Sequence, residues 1–153
     1  MPSLRLLTVN AGSSSLKLRL LEAGGSVVAI ADLDGTDELA ARGAVAGMGR
    51  IDAVVHRFVH GGDRLTSATR LDAEVEAYLE SLTELAPLHQ PRALAGVRLL
   101  RSLAPGLPEF ACFDTGFHST LPAAASTYAL PEEWRRRYGI RRFGFHGLSL
   151  IHI

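Results

Sequence analysis

Apolar and polar positions alternate over short segments in the first part of the chain, a pattern typical of β-strands. Residues 4–9 form a short apolar run, and residues 16–21 alternate leucine with basic side chains, so both segments are predicted to be strands. Gly24 and Gly25 suit a tight hairpin turn, because glycine adopts positive φ at little cost. Residues 27–31 then form the returning strand, and a hairpin beside a buried strand predicts a mixed sheet.

Helical spacing replaces this alternation in the middle of the chain. Residues 72–85 repeat apolar side chains every three or four positions, and Asp72 is placed to cap the helix. A second helix is predicted from Pro91 to the Pro105-Gly106 stop. Residues 36–49, rich in alanine and glycine, are also predicted to be helical. The apolar stripe of the first helix comprises Val75, Tyr78, Leu79, Leu82 and Leu85.

Two further apolar segments, 53–59 and 109–113, are predicted to be strands. The second follows a helix closely, as strands do in an α/β layer. A short helix is expected near residues 132–138. The polar clusters of the chain fall at strand ends, and the predicted fold class is α/β.

Composition narrows the class of protein. The chain has 153 residues, 47% of them apolar and 21% charged, with a formal net charge of zero. This length suits one domain of ordinary size, and the apolar content excludes general disorder. Without excess positive charge we expect no nucleic-acid partner, and without an apolar run of about 20 residues no membrane span. Cys112 is the single cysteine; we interpret it as a small buried apolar residue and expect a cytoplasmic protein.

The segment Asn-Ala-Gly-Ser-Ser-Ser-Leu-Lys at residues 10–17 lies between two predicted strands. Its glycine allows close approach of the backbone to a phosphate, and its amides, hydroxyls and lysine can bind one. The Walker A spacing is missing, and a plain serine-rich turn is the alternative. The candidate phosphate-binding residues are Gly12, Ser13, Ser14, Ser15 and Lys17.

Arg57 places a cation near the end of a predicted apolar strand. A guanidinium there can bind a carboxylate or phosphate through two parallel N–H bonds, although pairing with a nearby acid on an edge strand is an equally good interpretation. His56 and His60 are four residues apart on one side of the strand. No third ligand follows at a metal-binding spacing, so we do not expect zinc.

Three other polar residues follow predicted elements or occupy tight loops. Asp114 ends a buried strand, where a carboxylate can act as a general base or metal ligand, or simply start a turn. His89 precedes a helix and can instead close that turn. His146 lies in Phe-Gly-Phe-His-Gly, where a histidine can also bond the backbone.

Taken together and in this order, the motifs resemble the acetokinase family of the acetate and sugar kinase, Hsc70 and actin superfamily. The resemblance implies a ribonuclease H-like mixed-sheet domain of the actin-like ATPase type. It also implies reversible transfer of a phosphoryl group from ATP to acetate, with Mg²⁺ and a homodimeric enzyme. The motifs lie at residues 9–17, 56–62, 85–89, 113–118 and 138–147.

The same resemblance implies a role for each candidate residue. Asn10 would help place the metal, and Lys17 with residues 12–15 would contact ATP. Arg57 would bind the substrate carboxylate, Asp114 would be the catalytic carboxylate, and His146 would stabilise the transition state. His89 would support the phosphoryl site. The pocket for the acetate methyl group would be formed by Val59, Leu88 and Phe145.

The sequence departs from the family pattern in two places. The stretch between residues 25 and 56 is shorter than in most members, and residues 148–153 do not continue the family motif. We therefore expect an N-terminal acetokinase domain at residues 1–147, a divergent tail at 148–153 and no second domain. The alternatives are a non-catalytic actin-like domain that binds an anion or nucleotide, a propionate or butyrate kinase, and a serine-dependent hydrolase.

Overall fold

The computed structural model describes residues 3–35 and 37–151. Within them a six-stranded sheet has the order β3-β2-β1-β4-β6-β5. Strand β1 pairs antiparallel with β2 and parallel with β4, and β4 pairs parallel with β6, so the predicted mixed sheet is confirmed. The strands are β1 (Arg5–Ala11), β2 (Ser15–Glu22), β3 (Val27–Asp34), β4 (Ala53–Phe58), β5 (Thr69–Arg70) and β6 (Glu109–Phe113).

Helices connect these strands, and their ends follow from local sequence. The Asp72 carboxylate accepts from the backbone N–H of Val75 at 2.9 Å, as predicted for an N-cap. Asp37 caps the first helix in the same way. The helices are α1 (Glu38–Gly47), α2 (Ala73–Ser81), α3 (Gln90–Leu103), α4 (Ala123–Ser126), α5 (Glu132–Tyr138) and α6 (Gly147–Leu150), with 3₁₀ turns at Thr83–Leu85 and Asp114–His118.

The hydrophobic core lies on one face of the sheet. Side chains alternate between faces along a strand, so Leu7, Val9 and Leu18 all point to the same side and are buried together with Val45 and Leu100 of α1 and α3. A second cluster packs β4 and β6 against α2 and α3. The opposite face is only partly buried and carries Asn10, Arg57 and Cys112.

Two expectations about burial were wrong. Helix α2 ends at Ser81 and the chain tightens into the 3₁₀ turn, so Leu85 leaves the apolar stripe and is 53% exposed. Cys112 is only partly buried, because the alternation of β6 directs it to the more open face of the sheet. Burial is nevertheless sufficient to raise the pKa of its thiol.

The other predicted elements are found close to their expected places. Gly24 and Gly25 have φ of 107° and 90° in the hairpin turn. Of the predicted helix at 36–49, residues 38–47 are helical. Thr36 lies outside the described residues. So do the first two residues of the predicted domain and the last two residues of the predicted tail. No described helix has the length and apolar character needed to cross a membrane.

Candidate active site

A buried ion pair joins the ends of two parallel strands. Arg57 lies near the end of β4, and Asp114 directly follows β6, which pairs with β4. The Arg57 Nε donates to Asp114 Oδ1 at 3.2 Å and Nη2 donates to Oδ2 at 2.5 Å. The Asp114 side chain is 1% exposed and that of Arg57 is 32% exposed. The carboxylate is therefore enclosed, while part of its cationic partner faces open space.

A third strand end reaches the same arginine. Asn10 lies near the end of β1, and its Oδ1 accepts from Arg57 Nη1 at 3.2 Å. A guanidinium has five N–H donors, and these three bonds leave two of them without a partner among the described residues. Because the carboxyl ends of adjacent parallel strands meet at one edge, residues distant in sequence form one polar cluster.

A cavity of about 340 Å³ opens beside this cluster. It combines a polar end, formed by Arg57, Asp114 and two histidines, with an apolar wall. All seven residues that the sequence assigned to catalysis or acid binding line it. They are Arg57, Val59, Leu88, His89, Asp114, Phe145 and His146, joined by Leu85, Ala86 and Pro87.

The last three of these wall residues were not predicted as site residues. Ala86 is buried, whereas Leu88 is 73% exposed at the rim. The three unpredicted residues belong to the connection between α2 and α3, and the path of this connection over the strand ends depends on how the helices pack. The signal available in the sequence was the apolar, proline-containing segment at 85–89 itself.

The segment that carries Phe145 and His146 has an unusual backbone. His146 has φ of 58°, the one non-glycine residue with positive φ in the described part of the chain. The ring of His60 packs edge-on against Phe143 and Phe145, at centroid distances of 4.5 and 5.7 Å. His60 Nδ1 accepts from Gly62 N at 2.9 Å, and burial lowers the pKa of this imidazole.

The predicted phosphate-binding segment lies beside the cavity and does not line it. Gly12 N donates to Ser15 O at 2.8 Å, which closes the turn, and Ser13 and Ser14 are exposed. Lys17 is exposed on β2 directly opposite Asn10 in the β1–β2 register. Opposite residues of an antiparallel pair share a face, so Lys17 and the Arg57 cluster lie on the same side of the sheet.

The oxygen donors of this edge fit a magnesium ion that keeps mostly water and phosphate ligands. Mg²⁺ is commonly held by one or two protein oxygens plus substrate phosphates, and Asn10 Oδ1 and the Asp114 carboxylate are both bound to the same guanidinium. Across residues 3–35 and 37–151, three or more His, Cys, Asp or Glu side chains do not come together as a metal site.

Fold and cavity together define an α/β domain that can bind an anion where parallel strands end. The sequence model described as the acetokinase family matches residues 33–153, and this chain belongs to that family. The resemblance found in the motifs is thereby confirmed.

Individual relatives agree with this assignment. An acetate kinase of Staphylococcus carnosus is 39% identical over 94% of this chain, which covers 45% of that protein. An acetate kinase of Halothermothrix orenii is 50% identical over 70% of the chain, which covers 27% of it. The chain thus spans less than half the length of these curated relatives.

Solved structures show the same fold. The crystal structure of Porphyromonas gingivalis acetate kinase gives a TM-score of 0.84 at 32% identity, covering 97% of this chain and 46% of that one. A propionate kinase from Francisella tularensis gives 0.85 at 27% identity, covering 96% of this chain and 46% of its own. The predicted actin-like ATPase type of domain is confirmed.

Proposed function

We propose that this chain forms the acid-binding half of an acetate kinase active site. The reaction transfers a phosphoryl group reversibly from ATP to acetate, giving acetyl phosphate and ADP. The observation that carries the proposal is the cavity in which the Arg57–Asp114 pair faces an apolar wall. A short-chain carboxylic acid has the same two parts, a charged head and a small apolar tail.

Arg57 binds the head of the acid. Two of its N–H donors remain after Asp114 and Asn10 are bound, and two parallel N–H bonds are the usual way in which a guanidinium holds a carboxylate. Val59, Leu88 and Phe145 enclose the apolar tail. Asp114 keeps the guanidinium fixed, so that the acid oxygen points in one direction.

Charge and alignment account for the chemistry, since phosphoryl transfer needs little covalent help from a protein. His146 and His89 line the polar end of the cavity and donate hydrogen bonds to the oxygens of the transferred group, where negative charge is spread. Asp114, the proposed catalytic carboxylate, orients the attacking acid. Mg²⁺ would supply charge neutralisation and align the phosphates, and Asn10 Oδ1 and the Asp114 carboxylate would hold it.

The nucleotide approaches from the side of β1 and β2. The exposed turn formed by Gly12, Ser13, Ser14 and Ser15 presents amides and hydroxyls, and Lys17 adds a positive charge on the face of Asn10. These groups contact the phosphates of ATP. We expect the remaining nucleotide contacts to come from the part of the curated relatives that this chain does not cover.

A propionate kinase is the second candidate. A protein named propionate kinase has a similar TM-score, 0.85, and the cavity of about 340 Å³ has room for more than one methyl group. One methylene changes binding by only about 1–3 kcal/mol, so the apolar wall sets a preference and not an exclusion. Homodimer formation and a cytoplasmic location are expectations taken from the family.

Trapping the acyl phosphate with hydroxylamine tests the proposal. The assay compares this chain with a joined protein, in which the residues after 147 are replaced by the C-terminal half of the Staphylococcus carnosus relative. We expect acetyl hydroxamate from the joined protein and none from the chain alone. Acetate, propionate and butyrate are each supplied to establish the acid preference.

The Asp114→Asn version of the joined protein is the matched control, since asparagine keeps the size of aspartate without its charge. A non-catalytic binding domain would give a joined protein that is folded and binds ATP but forms no hydroxamate from any of the three acids. That result would contradict the kinase assignment.

A further inference from the structure

The 3₁₀ turn at Asp114–His118 is a fixed platform. Thr115 is buried, and its Oγ1 accepts from the backbone N–H of Gly61 at 3.0 Å. On another side, a Cβ at Gly116 would lie 2.6 Å from the carbonyl oxygen of Thr66, so the two backbones are in direct contact. The platform carries Asp114 at its first position and His118 at its last.

The segment 144–147 lies directly on this platform. A Cβ at Gly147 would lie 2.0 Å from the Asp114 carbonyl oxygen, and one at Gly144 would lie 2.3 Å from the His118 ring. Contact this close is open only to glycine. Between these two glycines stand Phe145 and His146, the residues that face the cavity.

His118 holds the peptide bond between them. Its Nε2 lies 2.9 Å from the carbonyl oxygen of Phe145, and a carbonyl oxygen can only accept, so Nε2 carries the proton. The ring of Phe117 packs edge-on against the imidazole at a centroid distance of 5.1 Å. Since a peptide unit is planar, fixing this oxygen also fixes the orientation of His146 N.

The left-handed backbone conformation of His146 is strained, and these contacts must offset the strain. A non-glycine residue in the left-handed region is strained by about 1–3 kcal/mol and persists only where its surroundings determine it. His118 fixes the peptide plane before His146, and the packing of Gly147 fixes the plane after it. His118 itself does not line the acid-binding cavity; it borders a separate small cavity of about 70 Å³.

We propose that His118 is a positioning residue, which acts through the Phe145 carbonyl to place His146 and Phe145 in the cavity opposite Asp114. This inference rests on the proposed function, because it gives His146 and Phe145 their roles in the reaction. No contact between His118 and a substrate is required. The family motif at residues 113–118 ends at this histidine, and the hydrogen bond explains what the side chain does.

Three substitutions in the joined protein separate the hydrogen bond from the shape of the ring. His118→Gln can place an amide N–H where Nε2 stands, whereas His118→Asn places it near Nδ1, too far from the Phe145 carbonyl. His118→Phe keeps a ring and removes the donor. Displacement of a reacting group by about 1 Å can cost up to roughly 100-fold in rate.

We expect kcat to fall about 10- to 100-fold in the Asn and Phe variants. We expect the Gln variant to stay within about threefold of the parent, and KM for ATP to change little in all three. Equal loss in all three variants with unchanged melting temperatures would show that the hydrogen bond is not the cause. Full activity in the Asn and Phe variants would also overturn the proposal.

A second readout does not depend on activity and uses this chain as it is. Nitrogen-15 NMR of its histidines reports which ring nitrogen of His118 carries the proton, and the HN–Hα coupling of His146 reports its φ. We expect the Nε2–H form in the parent and a changed coupling in His118→Phe. An Nδ1–H form, or an unchanged coupling in that variant, would refute the positioning role. Absence of hydroxamate from the parent joined protein would instead count against the proposed function.

Discussion

Strand β6 has a buried acid at each of its ends, and only one of them lies in the proposed site. Glu109 begins the strand and is 6% exposed, and Asp114 follows it and is 1% exposed. Each carboxylate is bound by an arginine through two nitrogens. Arg101 reaches Glu109 Oε2 with Nε at 2.7 Å and Nη2 at 2.5 Å, much as Arg57 reaches Asp114.

The two arginines differ in what else they bind. Arg101 also donates to Glu76 at 2.6 Å, so its one positive charge is shared between two carboxylates, and His56 Nε2 lies 3.3 Å from Glu109 Oε1. Burial alone would raise the pKa of Glu109, but the hydrogen bonds from His56 and Arg101 lower it overall. Arg57 also makes three bonds, but it binds one carboxylate and one neutral amide oxygen, so its cluster carries one negative charge fewer than that of Arg101 and accepts an anion more readily.

Cavity size does not distinguish the two ends. A cavity of about 640 Å³ adjoins Glu109, against about 340 Å³ beside Asp114. The charged residues around the larger one include Arg101 and the two carboxylates it binds, Glu76 and Glu109. A buried acid with its arginine therefore indicates an anion site only when the arginine faces a cavity and binds no second carboxylate.

The largest expected difference between the two ends is in kcat, when the acid at each end is neutralised in turn. In the joined protein, Asp114→Asn should lower kcat about 10²- to 10³-fold, the range seen when one stabilising charge interaction is removed from an active site. Glu109→Gln should change kcat per folded molecule by less than about threefold. Hydroxylamine trapping measures both, with circular dichroism to confirm folding. A large loss from Glu109→Gln, or none from Asp114→Asn, would contradict the assignment of the two ends.

Stability should separate the two ends far less than kcat does. Glu109→Gln removes one partner of a buried ion pair, which costs about 3–5 kcal/mol where both partners are fully enclosed. Arg101 is 45% exposed and keeps Glu76, so we expect a value near the lower end, about 3 kcal/mol. Asp114→Asn should cost at least as much, because Asp114 is 1% exposed and Arg57, at 32%, is less exposed than Arg101 and binds no second carboxylate. Urea unfolding of this chain measures both variants, and a clearly larger loss from Glu109→Gln would contradict this expectation.

Lowering the pH should reduce the free energy of unfolding in two separate pH ranges, one set by His60 and the other by Glu109. Burial lowers the pKa of His60, beside the cavity, from an ordinary value of 6.5, and the pKa of Glu109 is lowered from 4.5. Each group thus takes up more protons when unfolded, and stability falls as pH drops below its unfolded value. Protonation of His60 Nδ1 also removes the acceptor for Gly62 N.

Two variants assign these pH ranges. His60→Asn keeps an acceptor near Nδ1 but does not titrate, so the loss of unfolding free energy between pH 7 and about 5.5 should become smaller. Glu109→Gln should follow the parent in that range and diverge only below about 4.5. Unfolding free energies from urea titrations at four or five pH values measure this. If His60→Asn lost stability with the same slope as the parent, another group would be responsible.

Much of the site could be predicted from the sequence, because the carboxyl ends of adjacent parallel strands lie at the same edge of a sheet. Asn10, Arg57 and Asp114 each stand at or just beyond the end of a segment with a clear apolar pattern, and adjacent parallel strands place such residues at one edge. Asp72 was predictable as a cap for a similar local reason. The two-residue strand β5 and the four-residue helices α4 and α6 are too short to show a period.

The remaining features depend on tertiary contacts that no local pattern encodes. The apolar wall at Leu85 to Pro87 forms because the chain leaves α2 early and crosses the strand ends. The roles of His60 and His118 depend on which loops pack against them. Both ends of β6 also look alike in sequence, as an acid beside an apolar strand, and only the partners of each arginine separate them.

The smallest expected effect concerns the acid preference of the cavity. Val59→Ala removes two methyl carbons from the apolar wall, and a change of about one methylene in such a pocket is worth only about 1–3 kcal/mol. Because Val59 is one of several wall residues, we expect about 1 kcal/mol, roughly a fivefold shift in kcat/KM towards propionate over acetate. Leu107→Ala trims the wall of the larger cavity at the opposite end and is the matched control. Hydroxamate yields from competing acids measure both variants of the joined protein. A preference that moved with Leu107→Ala, or stayed fixed in Val59→Ala, would place the acid tail outside this cavity.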